Sequence, residues 1–356
     1  MELDGATLEG GGQLLRIAVA LAVITKKPCR VFNIRRGRPK PGLMPQHLLG
    51  IRALAQLCSG SLEGDYLGSE EIKFYPGENY RDRVSVNIPT AGSITLALQS
   101  LIPPALFAPS PSQVLQNKIW EGKPIKISFD GGATDTFFSP TIDHFRHVFL
   151  KILGKMGCKI EINILRRGYY PEGGARVIAL IRPWQINSIQ LKPINLTGRG
   201  ELKKILVISG ASNALKEKKV SERQLMGMRE ILGKLKLPIE EKVEYYDTRC
   251  PGSQICLVAE FENTVIGTDN LGKLGKRAED VGKEAALELL KEQKSGACLD
   301  KHLSDQILPY LALTKDKSQV TVSEITNHCK TNIWVIEKFL DGKFEIKGDL
   351  IVWHPF

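Results

Sequence analysis

The sequence lacks the marks of several large protein classes. It has no C-x-x-C pair, and its seven cysteines (Cys29, Cys58, Cys158, Cys250, Cys256, Cys298 and Cys329) are odd in number and scattered. Neither a disulfide framework nor a zinc site is supported, and a reducing cytoplasm is the simplest compartment. No secretion signal opens the chain, because Glu2, Asp4 and Glu9 stand where a basic segment is needed. No apolar run reaches the ~20 residues that span a bilayer. Ile17 to Ile24 is too short, and the charge-free stretch 84–117 is broken by Pro103, Pro104, Pro109 and Pro111, so no membrane partner is expected. Neither a Walker A Gly-Lys-Ser/Thr nor a G-x-G-x-x-G follows the glycine-rich start.

What is present points to a soluble two-domain chain. At 356 residues, 42% of them apolar and 25% charged, there is material for a substantial core and no sign of disorder. Lys plus Arg number 49 against 39 Asp plus Glu, a net charge of +10. Nucleic acid or another polyanion is the natural partner for that surplus, although a Lys- and Glu-rich thermophile surface looks similar.

Strand and helix signals alternate. Residues 14–25 are apolar on every face, as in a helix buried all round. A strand reads at 29–35, and Leu48, Ile51, Leu54 and Leu57 then recur at helical spacing from Gln46. Strands follow at 71–75 and 83–88, a helix after Ala91-Gly92-Ser93 to Phe107, a strand at 124–129, a helix at 140–156, and strands at 159–165 and 175–181. A third start is read at Ser295-Gly296-Ala297, leading into Leu303, Ile307, Leu308 and Leu311, with amphipathic helices at 46–58, 140–156 and 278–292. The economical description is an α+β fold of layered sheets and helices, with a βαβαββ unit repeated three times. Residues 186–276 interrupt the rhythm with strands at 203–209 and 255–261 and a charged helix at 219–235. They are expected to form a smaller inserted α/β domain, and 1–185 with 277–356 the larger one.

Five constellations carry chemistry. Glu9-Gly10-Gly11-Gly12-Gln13 with Arg16 could cradle an anion at a helix N-terminus, and a plain helix cap is an equal alternative. Arg35-Arg36-Gly37-Arg38-Pro39-Lys40-Pro41-Gly42, with Gln46 and His47 beyond, is a stiff cationic loop suited to phosphate. Gly131-Gly132-Ala133-Thr134-Asp135 reads as a ligand-facing or an ordinary turn. Arg166-Arg167-Gly168-Tyr169-Tyr170-Pro171 either holds nucleic acid or is a hairpin with packed tyrosines. The last groups are His302-Leu303-Ser304-Asp305-Gln306, where a helix would put His302 and Gln306 on one face, and His328-Cys329-Lys330-Thr331-Asn332. A lone histidine is more often structural than catalytic, and nothing marks Cys329 as a reactive thiol.

Together these motifs resemble the RNA 3′-terminal phosphate cyclase family. The likeness runs from Asp4-Gly5 and Glu9 to Gln13, through Arg35, Gly37 to Leu43, Gln46-His47, Ala91-Gly92-Ser93 with Gln99, and Arg167 to Pro171, to Asp305-Gln306 and His328 with Thr331-Asn332. The resemblance implies three units like the C-terminal domain of translation initiation factor three, plus the inserted domain. It implies that ATP and an RNA 3′-phosphate end give a 2′,3′-cyclic phosphate, AMP and pyrophosphate. It makes His328 the residue adenylated at Nε2. It also places Gln99, His302, Leu303, Ser304, Asp305 and Gln306 around ATP, Arg16, Arg35, Arg38 and Gln46 around the phosphates and RNA, and Glu9 at a divalent metal, Mg²⁺ or Mn²⁺. His302 stands where the family often has tyrosine, and Ala133 is inserted in the usual Gly-Gly-Thr-Asp turn. Two other readings remain: a non-catalytic cyclase-like protein of ribosome assembly, which would be expected to lack His328, and an enolpyruvyl transferase, which would give Asp305-Gln306 and His328 no role.

Overall fold

The computed structural model describes residues 1–108, 123–183, 191–235 and 238–356, and they form a mixed α+β structure of four four-stranded sheets. In the first, β1 (Glu2–Asp4) leads through α1 (Gly12–Thr25) to β2 (Cys29–Phe32), then through α2 (Pro45–Cys58) to β3 (Ser61–Glu63) and β4 (Ile72–Tyr75). β1 pairs parallel with β2, and β4 is antiparallel to both β2 and β3, giving the order β1-β2-β4-β3. The second sheet has β5 (Arg83–Ser93), α3 (Ile94–Leu106), β6 (Ile125–Ala133), α4 (Ile142–His144), a π-helical turn (Phe145–Phe149), α5 (Leu150–Lys155), β7 (Ile160–Arg166) and β8 (Arg176–Ile181). Its order, β5-β6-β8-β7, has the same parallel, antiparallel, antiparallel pairing.

Strand β9 (Asn195–Leu196) opens a sheet that is completed only after another has intervened. The intervening sheet has β10 (Leu202–Ser212), α6 (Val220–Leu232), β11 (Ile239–Tyr246), β12 (Ser253–Phe261), β13 (Val265–Leu271) and α7 (Ala278–Lys294), with strand order β11-β10-β12-β13. The chain then runs through α8 (Leu303–Gln306), α9 (Leu308–Ala312), β14 (Ser318–Thr321), α10 (Asn327–Phe339), β15 (Gly342–Lys347) and β16 (Leu350–Pro355). β14 pairs parallel with β9 and antiparallel with β16, which pairs antiparallel with β15, again one parallel and two antiparallel ladders. The two crossings between these sheets are tied together by Arg199. Its guanidinium donates to the carbonyls of Glu292, Gln293, Gly296 and Ala297 and stacks 4.8 Å over the Phe261 ring.

The apolar residues divide between two cores. The larger is built around α1, whose Leu14, Leu15 and the run Ala18 to Val23 are buried, as its apolar run from Ile17 to Ile24 requires. The smaller joins Ile205, Val207, Ile255 and Leu257 of the intervening sheet to Leu225, Met228 and Leu232 of α6 and to Val281, Ala285, Ala286 and Leu289 of α7. The helix that follows the expected boundary at 276/277 packs its apolar face in the core of β10, β12 and β13, while β9, on the other side of the expected insert, pairs with β14. The other expected boundary, at 185/186, lies outside the described residues.

Three elements end elsewhere than the pattern predicts. β2 stops at Phe32, because Asn33 and Arg35 take positive φ of 53° and 55° and turn the chain out of the sheet. The helix predicted over 140–156 is interrupted by the π turn. The apolar run after Leu303 is two short helices, α8 and α9, with Pro309 at the second position of α9. Proline has no N–H to give the Asp305 carbonyl, and Asn332 Nδ2 of α10 donates to that carbonyl instead, at 2.9 Å. All seven cysteines are buried and free. No helix among the described residues is long and apolar enough to cross a membrane; Pro109 and Pro111 lie outside them.

Candidate active site

Glu9 lies in the turn between β1 and α1, just before Gly10, whose φ of +59° suits a residue without a side chain. Its carboxylate joins two distant parts of the chain. Arg38, in the loop after β2, donates from Nη2 to Oε1 at 3.0 Å and to the Glu9 carbonyl at 3.3 Å. His328, the second residue of α10, has Nδ1 2.8 Å from Oε2. The Thr326 hydroxyl caps α10 by accepting from the Cys329 N–H at 3.1 Å, which fixes the turn that carries the ring. A carboxylate can only accept, so Nδ1 carries the proton and Nε2 keeps a free lone pair in the neutral ring. Partial burial and the nearby Arg16 and Arg38 hold the His328 pKa below its ordinary 6.5, against the upward pull of Glu9. The ring is therefore neutral at neutral pH and half exposed, with its basic nitrogen directed away from its anchor.

Beside this cluster is a cavity of about 460 Å³, counting its open mouth, between α1, α3, α8, α9 and α10. Gln13, Arg16, Gln99, Asp305, Gln306 and Asn332 supply its polar wall, and Ile17, Leu21, Pro103 and Pro309 its apolar one. Gln99 Nε2, Gln306 Oε1 and Asn332 Oδ1 are buried without a hydrogen-bond partner. Three amide atoms so placed suit a ligand with complementary donors and acceptors, because leaving them unpaired is costly. Burial pushes the Asp305 carboxyl up to about 7, opposed by Gln13, which donates to its Oδ2 at 2.6 Å, and by Arg16. Burial lowers Arg16 to about 10, which leaves it a cation at neutral pH, and Asp305 moderates that fall. An apolar slot, unpaired amides and a half-buried cation beside a neutral imidazole suit a heterocycle that carries phosphates.

A family model described as "RNA 3′-terminal phosphate cyclase" matches residues 7–346. The chain belongs to the RNA 3′-terminal phosphate cyclase family. As a member it is a ligase-type enzyme. It is 43% identical to the RNA 3′-terminal phosphate cyclase of Thermococcus kodakarensis, covering 98% of this chain and 95% of that one. It is likewise 43% identical to that of Pyrococcus abyssi, with the same coverage. Among solved structures, the enolpyruvyl transferase NikO from Streptomyces tendae aligns over 100% of this chain and 48% of its own, at 10% identity and a TM-score of 0.38, too weak a likeness to bear on fold or function.

The motifs that carry the cyclase resemblance are brought together unevenly. Glu9, Arg38 and His328 touch, while Arg16, Gln99, Asp305 and Gln306 share the cavity. Arg35 turns inward, donating to the carbonyls of Lys40 at 2.8 Å and Gly42 at 3.2 Å, so it shapes the cationic loop. Gln46 is exposed at the start of α2. His302 is the N-cap of α8, with helical φ and ψ of −81° and −39°, and its exposed ring lies edge-on, 6.5 Å from His144. Leu303 and Ser304 are buried, and Ser304 Oγ packs 3.2 Å from Cys329 Sγ. Burial raises the Cys329 thiol, which removes it as a nucleophile. Glu9, expected at a metal, has both oxygens engaged by protein groups. Gln13 and Asn332 gain roles that spacing did not assign, as partners of the Asp305 side chain and carbonyl.

A second buried polar group lies between the second sheet and the intervening one. Arg167 reaches Asp135 at 3.3 Å and Asp143 at 2.6 Å and stacks 4.3 Å from the Tyr246 ring. Gln254 of β12 donates to Asp143 at 3.3 Å and accepts from the Tyr169 hydroxyl at 2.5 Å. Burial raises Asp135; at Asp143 burial is outweighed by Arg167 together with His147 and Gln254, and the pKa is lowered.

Proposed function

We propose that this chain converts an RNA 3′-terminal phosphate to a 2′,3′-cyclic phosphodiester at the expense of ATP, through an adenylated His328. The observation that carries this reading is the Glu9 carboxylate on His328 Nδ1, which leaves Nε2 as the nucleophile. Expelling oxide from a phosphate monoester is prohibitive, so the phosphate must first be given a better leaving group. In the proposed sequence Nε2 attacks the α-phosphorus of ATP, an N–P bond forms, and pyrophosphate leaves. The RNA 3′-phosphate then takes the adenylyl group from the imidazole, giving RNA(3′)pp(5′)A. The neighbouring 2′-hydroxyl attacks the activated phosphorus and AMP departs. That hydroxyl is tethered beside its target, and effective molarities of ~10⁵ M or more serve the last step.

Arg38 and Arg16 would meet the phosphates, and Gln99, Gln306 and Asn332 would read the base or ribose from the cavity. Among the described residues no group of three or more His, Cys, Asp or Glu side chains forms a metal cage. If a divalent ion, Mg²⁺ or Mn²⁺, takes part, Glu9 would be the carboxylate to hold it, giving up Arg38 at one oxygen. When bound, the ion would draw charge from the phosphates.

We also read the three sheets of matching order as three βαβαββ repeats, like the C-terminal domain of translation initiation factor three. The insert then spans about 202–294, as the packing of α7 supports. The cytoplasm, where thiols stay reduced, is the proposed compartment.

The test uses ATP labelled at its α-phosphate, with a divalent ion. The wild-type chain should take up acid-labile label, and His328→Ala should take up none. Label that survives His328→Ala overturns the nucleophile. No label under several divalent ions favours the non-catalytic binding protein.

A further inference from the structure

In the first and third sheets, the connection leaving the second strand carries the phosphate-facing groups: Arg38 follows β2, and His328 follows β14. The connection in the same place of the second sheet, residues 134–141 after β6, has no cation and carries Phe137 and Phe138 instead. The Phe138 ring is wholly in solvent, at 102% relative exposure, and its φ of 63° is one that bulky residues rarely adopt. The loop is nonetheless fixed: the Ser139 hydroxyl donates to the Thr136 carbonyl at 2.9 Å, and the Ile142 N–H to the Thr134 carbonyl at 3.0 Å. Phe137 is exposed as well, and its ring meets that of exposed Tyr170 edge-on at 6.0 Å.

Two arginines meet at Gly174, four residues beyond Tyr170. Arg166 donates to the Gly174 carbonyl from Nε at 2.6 Å, and its Nη2 is buried without a hydrogen-bond partner. The side chain of exposed Arg249 lies against Gly174, where a Cβ would meet its Cδ at 2.2 Å. Backbone packing also links this loop to the elements that carry the active site. The His47 ring packs on Gly12, and its neighbour Gln46 faces Gly92. A Cβ on Gly132 would sit 3.0 Å from the Gly92 carbonyl, and one on Gly173, beside the Tyr170 turn, 2.6 Å from the Gly132 carbonyl. A line of closely packed backbone thus leads from the Glu9 turn to Tyr170.

We propose that Phe137, Phe138 and Tyr170 form a platform on which bases of the RNA strand upstream of the reacting 3′ end stack, with Arg166 and Arg249 along its backbone. The proposal rests on the cyclase reading. Every base has a π-face, so such a platform holds single strands whatever their sequence. It would let the enzyme grip varied ends while the terminal nucleotide is held by the phosphate groups.

The test measures binding, which needs no turnover, by fluorescence anisotropy. The probes are a single-stranded oligoribonucleotide with a 3′-phosphate, the same strand with abasic upstream sugars, and a dinucleotide with a 3′-phosphate. In wild type the full strand should bind more tightly than the other two. Phe138→Ala and Tyr170→Ala should each weaken full-strand binding about fivefold or more. They should leave dinucleotide binding and self-labelling by ATP unchanged and cost nothing further on the abasic strand, and Phe138→Trp should retain affinity. Equal loss for both RNA lengths, or no loss on the full strand, overturns the platform. Failure of wild type to label with ATP overturns the cyclase reading alone, because the binding comparison still judges the platform.

Discussion

Because Glu9 holds one edge of His328 while arginines stand nearby, the charge on that ring is set from two sides. Only the neutral ring can attack phosphorus, so self-labelling should fall on the acid side as the ring protonates. Its pKa is lowered from 6.5, so that limb should lie below pH 6.5. Removing the cation in Arg38→Met should move the limb to higher pH, and removing the anion in Glu9→Gln should move it lower. Glu9→Gln should also slow labelling on the order of 10- to 100-fold, as losing a partner that fixes a histidine tautomer does elsewhere. A pH–rate profile of single-turnover labelling checks both signs. At this scale the sequence was legible where residue types are distinctive. The arginine loop and the glycine turn announce anion binding, but spacing alone left His328 an ordinary histidine. The hydrogen bond between Gln13 and Asp305 crosses 292 positions, and no local pattern foretells it.

Helix α1 begins against the first turn of α2, and the contact leaves no room for a methyl group. A Cβ on Gly12 would lie 2.0 Å from Nε2 of His47, a ring that burial, with Arg16 and Arg35, keeps neutral down to about pH 3. Gly12→Ala should therefore cost about 1–3 kcal/mol in urea unfolding, the usual penalty of overpacking. Adding His47→Ala should recover most of that loss, and strict additivity of the two changes would refute the contact. Elements with a strong period were readable: α1 from its unbroken apolar run, and α2 from Leu48, Ile51 and Leu54. Strands β1, β3 and β9, of two or three residues, show no period long enough to detect. The break between α8 and α9 was written in Pro309 all along, but the side chain that makes the break tolerable, Asn332, comes from another helix.

At the scale of the whole molecule, the intervening sheet meets the second sheet through Arg167, Asp135, Asp143 and Gln254. Arg167→Leu strands two buried carboxylates and should cost about 3–5 kcal/mol. Scanning calorimetry should then show the intervening sheet and the remainder melting separately, whereas a single unchanged transition would mean that the network does not couple them. The proposed insert, about 202–294, runs past the expected end at 276 for a physical reason. An amphipathic pattern at 278–292 declares that one face is buried, but not against which sheet.

Arg199 binds the outgoing and returning stretches of chain to each other at the seam of the third sheet. Whatever length of polypeptide hangs beyond that stitch, the strands on either side of it keep their spacing.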